Sequence, residues 1–151
     1  MMNKYYFILD RVSNDTIIEL MGFIEKEYKV KLLIRSLIDI LNDHECFFIL
    51  KKDRVSEKKK LKKFTNRQTL GELNFTTEDV INELISLKSN EYLESVNDTN
   101  KNFNDEPFRV FIKKIKKIDV YIKIKIRSIE NKIIVCVSFH RTQFDFELPY
   151  K

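Results

Sequence analysis

The chain has 151 residues, 43% of them hydrophobic and 34% charged, with a formal net charge of +5. That length suits one domain able to bury a core without disulfides or a structural metal, and the composition excludes a disordered or collagen-like polymer. The charge is segregated: residues 51–68 and 108–140 each carry +7, whereas 69–107 carry −7, so an electropositive footprint is expected if the two basic blocks fold onto one surface.

No run of 18 or more apolar residues occurs, and the N-terminus reaches Asp10 too early for a signal peptide, so the expectation is a cytoplasmic chain with no membrane span. Cys46 and Cys136 then suit a reducing compartment as free thiols. In chain order, residues 4–9 read as a short strand. Ser13 to Thr16 form an N-cap cluster for a helix through Ile17, Ile18, Met21 and Ile24 to about Lys26. Val30 to Asn42 repeats the helical period, with Leu33, Leu37, Ile40 and Leu41 on one face. Cys46 to Leu50 reads as a strand, and Lys51 to Gln68 as a basic loop containing Lys58, Lys59, Lys60, Lys62 and Lys63. Thr76 and Asp79 bracket a capping box ahead of Val80, Leu84 and Leu87, which predicts a helix over 77–88 with an acidic first turn. Asn90 to Glu106 is polar and reads as a long loop. Phe108 to Ile115 opens a three-stranded meander. The fold class expected is α+β: an antiparallel sheet made of the C-terminal meander plus an additional strand, packed against helices.

The rest of the meander is the most explicit pattern in the chain. Asp119 to Arg127 and Lys132 to His140 alternate strictly and predict a hairpin closed by Ser128 to Asn131. In that register Ile122, Ile124 and Ile126 share a core face with Ile133, Val135, Val137 and Phe139. The opposite face carries Tyr121, Lys123, Lys125 and Arg127 beside Lys132, Cys136, Ser138 and His140, with Tyr121 across from Ser138 and near His140. Such a face is either the solvated side of an ordinary antiparallel sheet or a surface for a phosphate backbone. The basic run at 51–63 is open to the same two readings, a solvated loop or an extension of the binding track.

Each histidine lies close to a cysteine, His44 to Cys46 and Cys136 to His140, which makes a Cys2His2 zinc site conceivable, although the tight knuckle spacing is missing and a strand cysteine also reads as a small hydrophobe. No phosphate-cradling glycine loop, nucleophile elbow or HExxH sequence is present. No metal or other cofactor is expected.

Several segments together carry a resemblance. Thr65-Asn-Arg-Gln-Thr-Leu-Gly-Glu-Leu73, Glu83 to Tyr92, Pro107-Phe-Arg-Val-Phe111, Val120-Tyr-Ile-Lys-Ile-Lys-Ile126 and Ile134-Val-Cys-Val-Ser-Phe-His140 stand in an order that resembles MqsR-type toxins of toxin-antitoxin systems. The likeness covers about residues 30–151 and rests on the order and spacing of short motifs; residues 1–28 have no counterpart. It implies a RelE-like α+β fold, a ribosome-independent endonuclease acting on mRNA, and a cognate antitoxin encoded by an adjacent gene. The tyrosine and lysine of the family's Val-Tyr-Leu/Ile-Lys strand fall on Tyr121 and Lys123, and a basic position after Ser-Phe falls on His140. The implied chemistry is metal-independent attack of a 2′-hydroxyl on the adjacent phosphate, which needs a base, an acid and cations around the developing charge. His140 suits proton transfer near neutral pH. Tyr121 would orient the phosphate or share the acid role, and Lys123, Lys125 and Arg109 would stabilise charge. Lys113 and Arg127 would contact the RNA backbone, and Lys58, Lys59 and Lys60 would extend the track. A non-catalytic RNA- or protein-binding module on the same sheet, or a toxin scaffold with a degenerate site, are the alternatives.

Overall fold

The computed structural model describes residues 22–52, 64–100, 102 and 106–151. In chain order these form β1 (Gly22–Phe23), α1 (Glu27–Leu41), β2 (Phe47–Leu50), α2 (Asn66–Leu73), α3 (Thr77–Ile85), a 3-10 turn (Ser89–Glu91), β3 (Tyr92–Val96), β4 (Phe108–Ile115), β5 (Ile118–Ser128) and β6 (Ile133–Arg141). The strands make one six-stranded sheet in the order β1-β3-β4-β5-β6-β2. Every pair is antiparallel except β2 with β6, which is parallel. The fold is therefore α+β, as the element pattern predicts.

The helices pack on one face of the sheet. Val30, Ile34, Leu37 and Leu41 of α1, Leu70 and Leu73 of α2, and Val80 and Leu84 of α3 join the sheet residues Phe111, Ile122, Ile124 and Phe139 in one buried cluster. The α1 stripe recurs every three or four residues, the period of a core-facing helical face, and each fully buried aliphatic side chain contributes about 1.5–3 kcal/mol. Helix α3 begins where its capping box predicts: the Asp79 amide donates to Thr76 Oγ1 and the Thr76 amide to the Asp79 carboxylate.

Three expectations need correction. The helix predicted to end near Lys26 gives way at its described end to strand β1, because Gly22 and Phe23 pair with Val96 and Ser95; the remainder of that helix, the strand at 4–9 and the run 53–63 lie outside the described residues. The supposed loop 90–106 contains β3, whose five residues are all buried. The supposed basic loop ends earlier than its charge suggests, since α2 starts at Asn66 with Thr65 as N-cap, its side chain accepting from the Gln68 amide.

The hairpin also departs from perfect alternation. Ile122 and Phe139 share the core face as expected and pair directly, but the register shifts between Lys123 and Ile124 and returns between Ile126 and Ser128. These are two compensating bulges, with Val137 the extra residue on β6 and Arg127 the extra residue on β5. Between them Ile124 faces Cys136 and Ile126 faces Ile134. Cys136 and Ile134 thus occupy the helix-side core that Val135 and Val137 were expected to fill. The bulge is held from α2. Buried Asn66 donates to the Val137 carbonyl at 3.0 Å and accepts from the Phe139 amide at 2.9 Å. One turn on, Thr69 Oγ1 accepts from the Arg141 amide at 3.0 Å. Two side chains of one helix continue the pairing of β6 where β2 stops.

The other face of the sheet is covered in part by the C-terminal segment. Phe144, Phe146 and Leu148 pack against a second buried cluster of Leu93, Val96, Val110 and Ile112. The segment then reaches the helix side, where Tyr150 stacks on Tyr92 with centroids 6.0 Å apart and donates to the Glu25 carbonyl.

Candidate functional site

Strand alternation sends Tyr121, Lys123 and Lys125 of β5 to the face opposite the helices, together with Ser138 and His140 of β6 and Glu94 of β3. Tyr121 pairs directly with His140, and Lys123 with Ser138, two residues along the strand from the expected partnering of Tyr121 with Ser138. The Tyr121 and His140 rings stack with centroids 5.2 Å apart and an interplanar angle of 17°. The Phe144 ring meets Tyr121 edge-on at 5.9 Å. His140 is 4% exposed, and its Nδ1 lies 2.7 Å from the Arg141 carbonyl. A carbonyl only accepts, so Nδ1 carries a proton, and in the neutral form of the ring the lone pair is on Nε2. A neutral imidazole in that tautomer is equipped to accept a proton at Nε2.

Lys123 lies over the Phe108 ring at 5.1 Å, a contact that orients an ammonium without neutralising it. One row away along the strand, Lys125 behaves differently. It is 2% exposed and its ammonium binds the Asp98 carboxylate at 2.9 Å. This corrects the expectation that Lys125 contacts RNA from a solvated face: the lysine is the cationic half of a buried ion pair. Arg127, at the β5 bulge, is half-buried. Lys58, Lys59 and Lys60 lie outside the described residues.

Arg109 and Lys113 also depart from their expected place. They share β4 with Phe111 and Ile115, which point into the helix-side core, so both project away from Tyr121. Arg109 binds Glu25 through Nε at 2.8 Å and Nη2 at 3.0 Å, and Glu106 through Nη1 at 2.8 Å. Lys113 donates to Ser86 Oγ at 2.7 Å and lies near Glu83 and Glu91. Both cations hold the molecule together. The Arg109 partner Glu25 also accepts from Ser95 Oγ at 2.5 Å, and Ser95 in turn accepts from the buried Tyr92 hydroxyl at 2.8 Å. Burial alone would raise the Glu25 carboxyl, but the hydrogen bonds from Arg109 and Ser95 outweigh it and hold the group below its ordinary value of 4.5.

Glu94 went unnoticed in the sequence because β3 was hidden in a polar stretch. It faces Val110, which faces Lys123, which faces Ser138. A carboxylate, an ammonium and a hydroxyl therefore stand in one cross-strand row, with Glu94 only 8% exposed. The five-residue Tyr-Leu-Glu-Ser-Val run, just after the 3-10 turn, was the available signal.

The four residues of the conceivable zinc site do not converge. Cys136 turns into the helix-side core, His140 turns to the opposite face, and the His44 side chain is 94% exposed. Among the described residues no cluster of three or more His, Cys, Asp or Glu side chains is arranged to hold a metal ion. Below Arg141, an open cleft of about 520 Å³ is lined by Phe64, Glu72, Lys117, Asp119, Arg141 and Thr142. Its Arg141 and Glu72 are paired at 2.8 Å. Among the described residues no helix is long and apolar enough to cross a membrane.

Comparison with family models, curated proteins and solved structures finds no match to this chain.

Proposed function

We propose that the chain is a toxin endoribonuclease of the MqsR type with a RelE-like arrangement of sheet and helices, cleaving mRNA through the face that carries Tyr121, Lys123 and His140. The observation that supports this most is the stacked Tyr121–His140 pair beside Lys123. It puts a proton acceptor, a phenol and an ammonium within one or two cross-strand steps, roughly 5–8 Å. In the proposed reaction His140 Nε2 takes the proton of the RNA 2′-hydroxyl as that oxygen attacks the adjacent phosphorus. Lys123 stabilises the negative charge developing on the phosphoryl oxygens, where a fixed cation in a site shielded from water acts most strongly. Tyr121 donates through its hydroxyl to the phosphate or to the departing 5′-oxygen. The products are a 2′,3′-cyclic phosphate and a 5′-hydroxyl: when Tyr121 gives its proton to the departing 5′-oxygen, the proton that His140 took from the 2′-hydroxyl passes to the phenolate, so atoms and charge balance. All these steps use the chain's own side chains.

A free ribonuclease of this kind is harmful to its host, so the proposal includes a cognate antitoxin from an adjacent gene. Expression of the free chain is expected to arrest growth and fragment mRNA, and co-expression of the neighbouring gene product to restore growth and give a stable complex on size exclusion. A chain harmless alone, without RNA cleavage, would favour a non-catalytic binding module. The near-complete burial of His140 is the observation on that side.

A further inference from the structure

We propose that β2 is a dimerisation edge, pairing antiparallel with β2 of a second copy of this chain so that the two sheets run on into each other. β2 is the last strand of the sheet, and among the described residues no strand pairs with its outer side. Its inner side is fixed by the bonds from the Phe47 amide to the Lys132 carbonyl at 2.9 Å and from the Lys51 amide to the Cys136 carbonyl at 3.0 Å. Successive residues of a strand turn their backbone groups to opposite sides, so the amides and carbonyls of Phe48 and Leu50 point to the open edge.

An edge of this kind is ordinarily blunted by a charge or a proline within the strand. Phe47-Phe48-Ile49-Leu50 carries neither, and Phe47 is 62% exposed. The charges stand instead at the two ends and have opposite signs, with exposed Glu45 before the strand and exposed Lys51 and Lys52 after it. That order selects the occupant. A strand laid antiparallel against its own copy brings the acidic end of each to the basic end of the other, the reciprocal match of a two-fold interface. With Phe48 on the axis, Phe47 lies beside Ile49 of the second copy, Cys46 beside Leu50, and Glu45 level with Lys51. The two Phe48 residues exchange both backbone bonds, and each Leu50 amide reaches the Cys46 carbonyl across the axis. The Cys46 amide is already donated to the Asp43 carbonyl of its own chain at 3.0 Å. Moving the register by one pair sets Phe47 against Lys51 and loses the charge match. Phe48 and Leu50 pack on the helix-side core, so the helices of both copies lie on one side of the joined sheet and both Tyr121–His140 faces on the other. A four-residue strand buries little area, which makes the dimer weak and concentration-dependent.

The test is sedimentation equilibrium of the full chain over a wide range of concentration, comparing wild type, Glu45→Lys, Lys51→Glu and the double variant at matched circular dichroism. The Glu45 side chain is 68% exposed, and Lys132, 3.4 Å from it, keeps Asp43 at 2.7 Å, so the reversals leave the fold intact. Each single reversal meets a like charge twice across the axis and weakens dimerisation by about tenfold or more. The double variant restores the match and dimerises as the wild type does. Amide hydrogen exchange reads the edge itself: protection of the Phe48 and Leu50 amides rises with protein concentration. A wild type that stays monomeric throughout overturns the proposal. So does a dimer that neither single reversal weakens, or one in which the Phe48 and Leu50 amides gain no protection, since that dimer uses another surface.

Discussion

The Tyr121 ring lies nearly parallel to the His140 imidazole, 5.2 Å from it, while the other side of the imidazole's chemistry is fixed by the bond from Nδ1 to the Arg141 carbonyl. Stacking sets the plane of the histidine and the hydrogen bond sets its tautomer. In the proposed reaction Nε2 is the nitrogen that exchanges the proton, and the plane of the ring follows from two neighbours in the same sheet.

That pair is positioned by the bulge in β6, and the bulge depends on Asn66. Replacing Asn66 with Ala leaves the Phe139 amide and the Val137 carbonyl without this partner in a buried setting. The expected loss is about 2–6 kcal/mol, from one to three for each group left unsatisfied. Urea unfolding of Asn66→Ala at constant m-value measures it; a loss below about 0.5 kcal/mol, typical of a surface substitution, contradicts the role given to Asn66.

The two lysines of β5 should separate stability from binding. Lys125→Ala strands Asp98 in a buried position and is expected to cost about 3–5 kcal/mol, as breaking a buried pair from one side does. Lys123→Ala is expected to keep the melting temperature within a few degrees and to weaken RNA binding, with a flatter dependence on salt by about 0.7 in log-log slope for one lost phosphate contact on single strands. Thermal unfolding and a salt titration of RNA binding on both variants check the division. Equal effects of the two substitutions on stability would contradict it.

Glu25 makes stability depend on pH in a definite direction. Its folded pKa is depressed below 4.5, chiefly by Arg109 and Ser95 working against burial, so the unfolded chain binds the proton more readily. The contribution is fully present above about pH 4.5 and is lost as the pH falls through the folded value. The melting temperature of the wild type should therefore drop more steeply than that of Glu25→Gln between neutral pH and pH 3, with the two curves converging in acid. Parallel curves over that range would show that the network does not titrate through Glu25.

How much of this could be read in advance follows from where the signal is local. The capping box at Thr76 and the i, i+4 stripe of α1 act within one or two turns, and both appear where the sequence places them. Alternation in β5 and β6 assigned Ile122, Tyr121 and His140 to their faces correctly. It failed at Cys136 and Val135, because the bulge is imposed by a side chain of α2 that is distant in sequence. Lys125 looked like a surface cation for a similar reason: its partner Asp98 lies in the polar segment after a strand whose five residues carry almost no alternation. Arg109 and Lys113 were placed with the site because charge was counted by segment, whereas the parity of β4 sends them toward Glu25 and Ser86. The turn between β4 and β5 gave no signal either, since Lys116 and Lys117 both adopt positive φ, 49° and 71°, without the Asn-Gly pair such turns favour.

The central claim is that Tyr121 and His140 act together on RNA, and the most direct measurement is cleavage of a defined single-stranded RNA by wild type, His140→Ala and Tyr121→Phe at matched circular dichroism, with product ends identified. The account predicts 2′,3′-cyclic phosphate and 5′-hydroxyl ends from the wild type, and a fall of about a hundredfold or more in each variant, as removal of a general acid or base gives. Full activity in both variants, or no cleavage by the wild type, would contradict it.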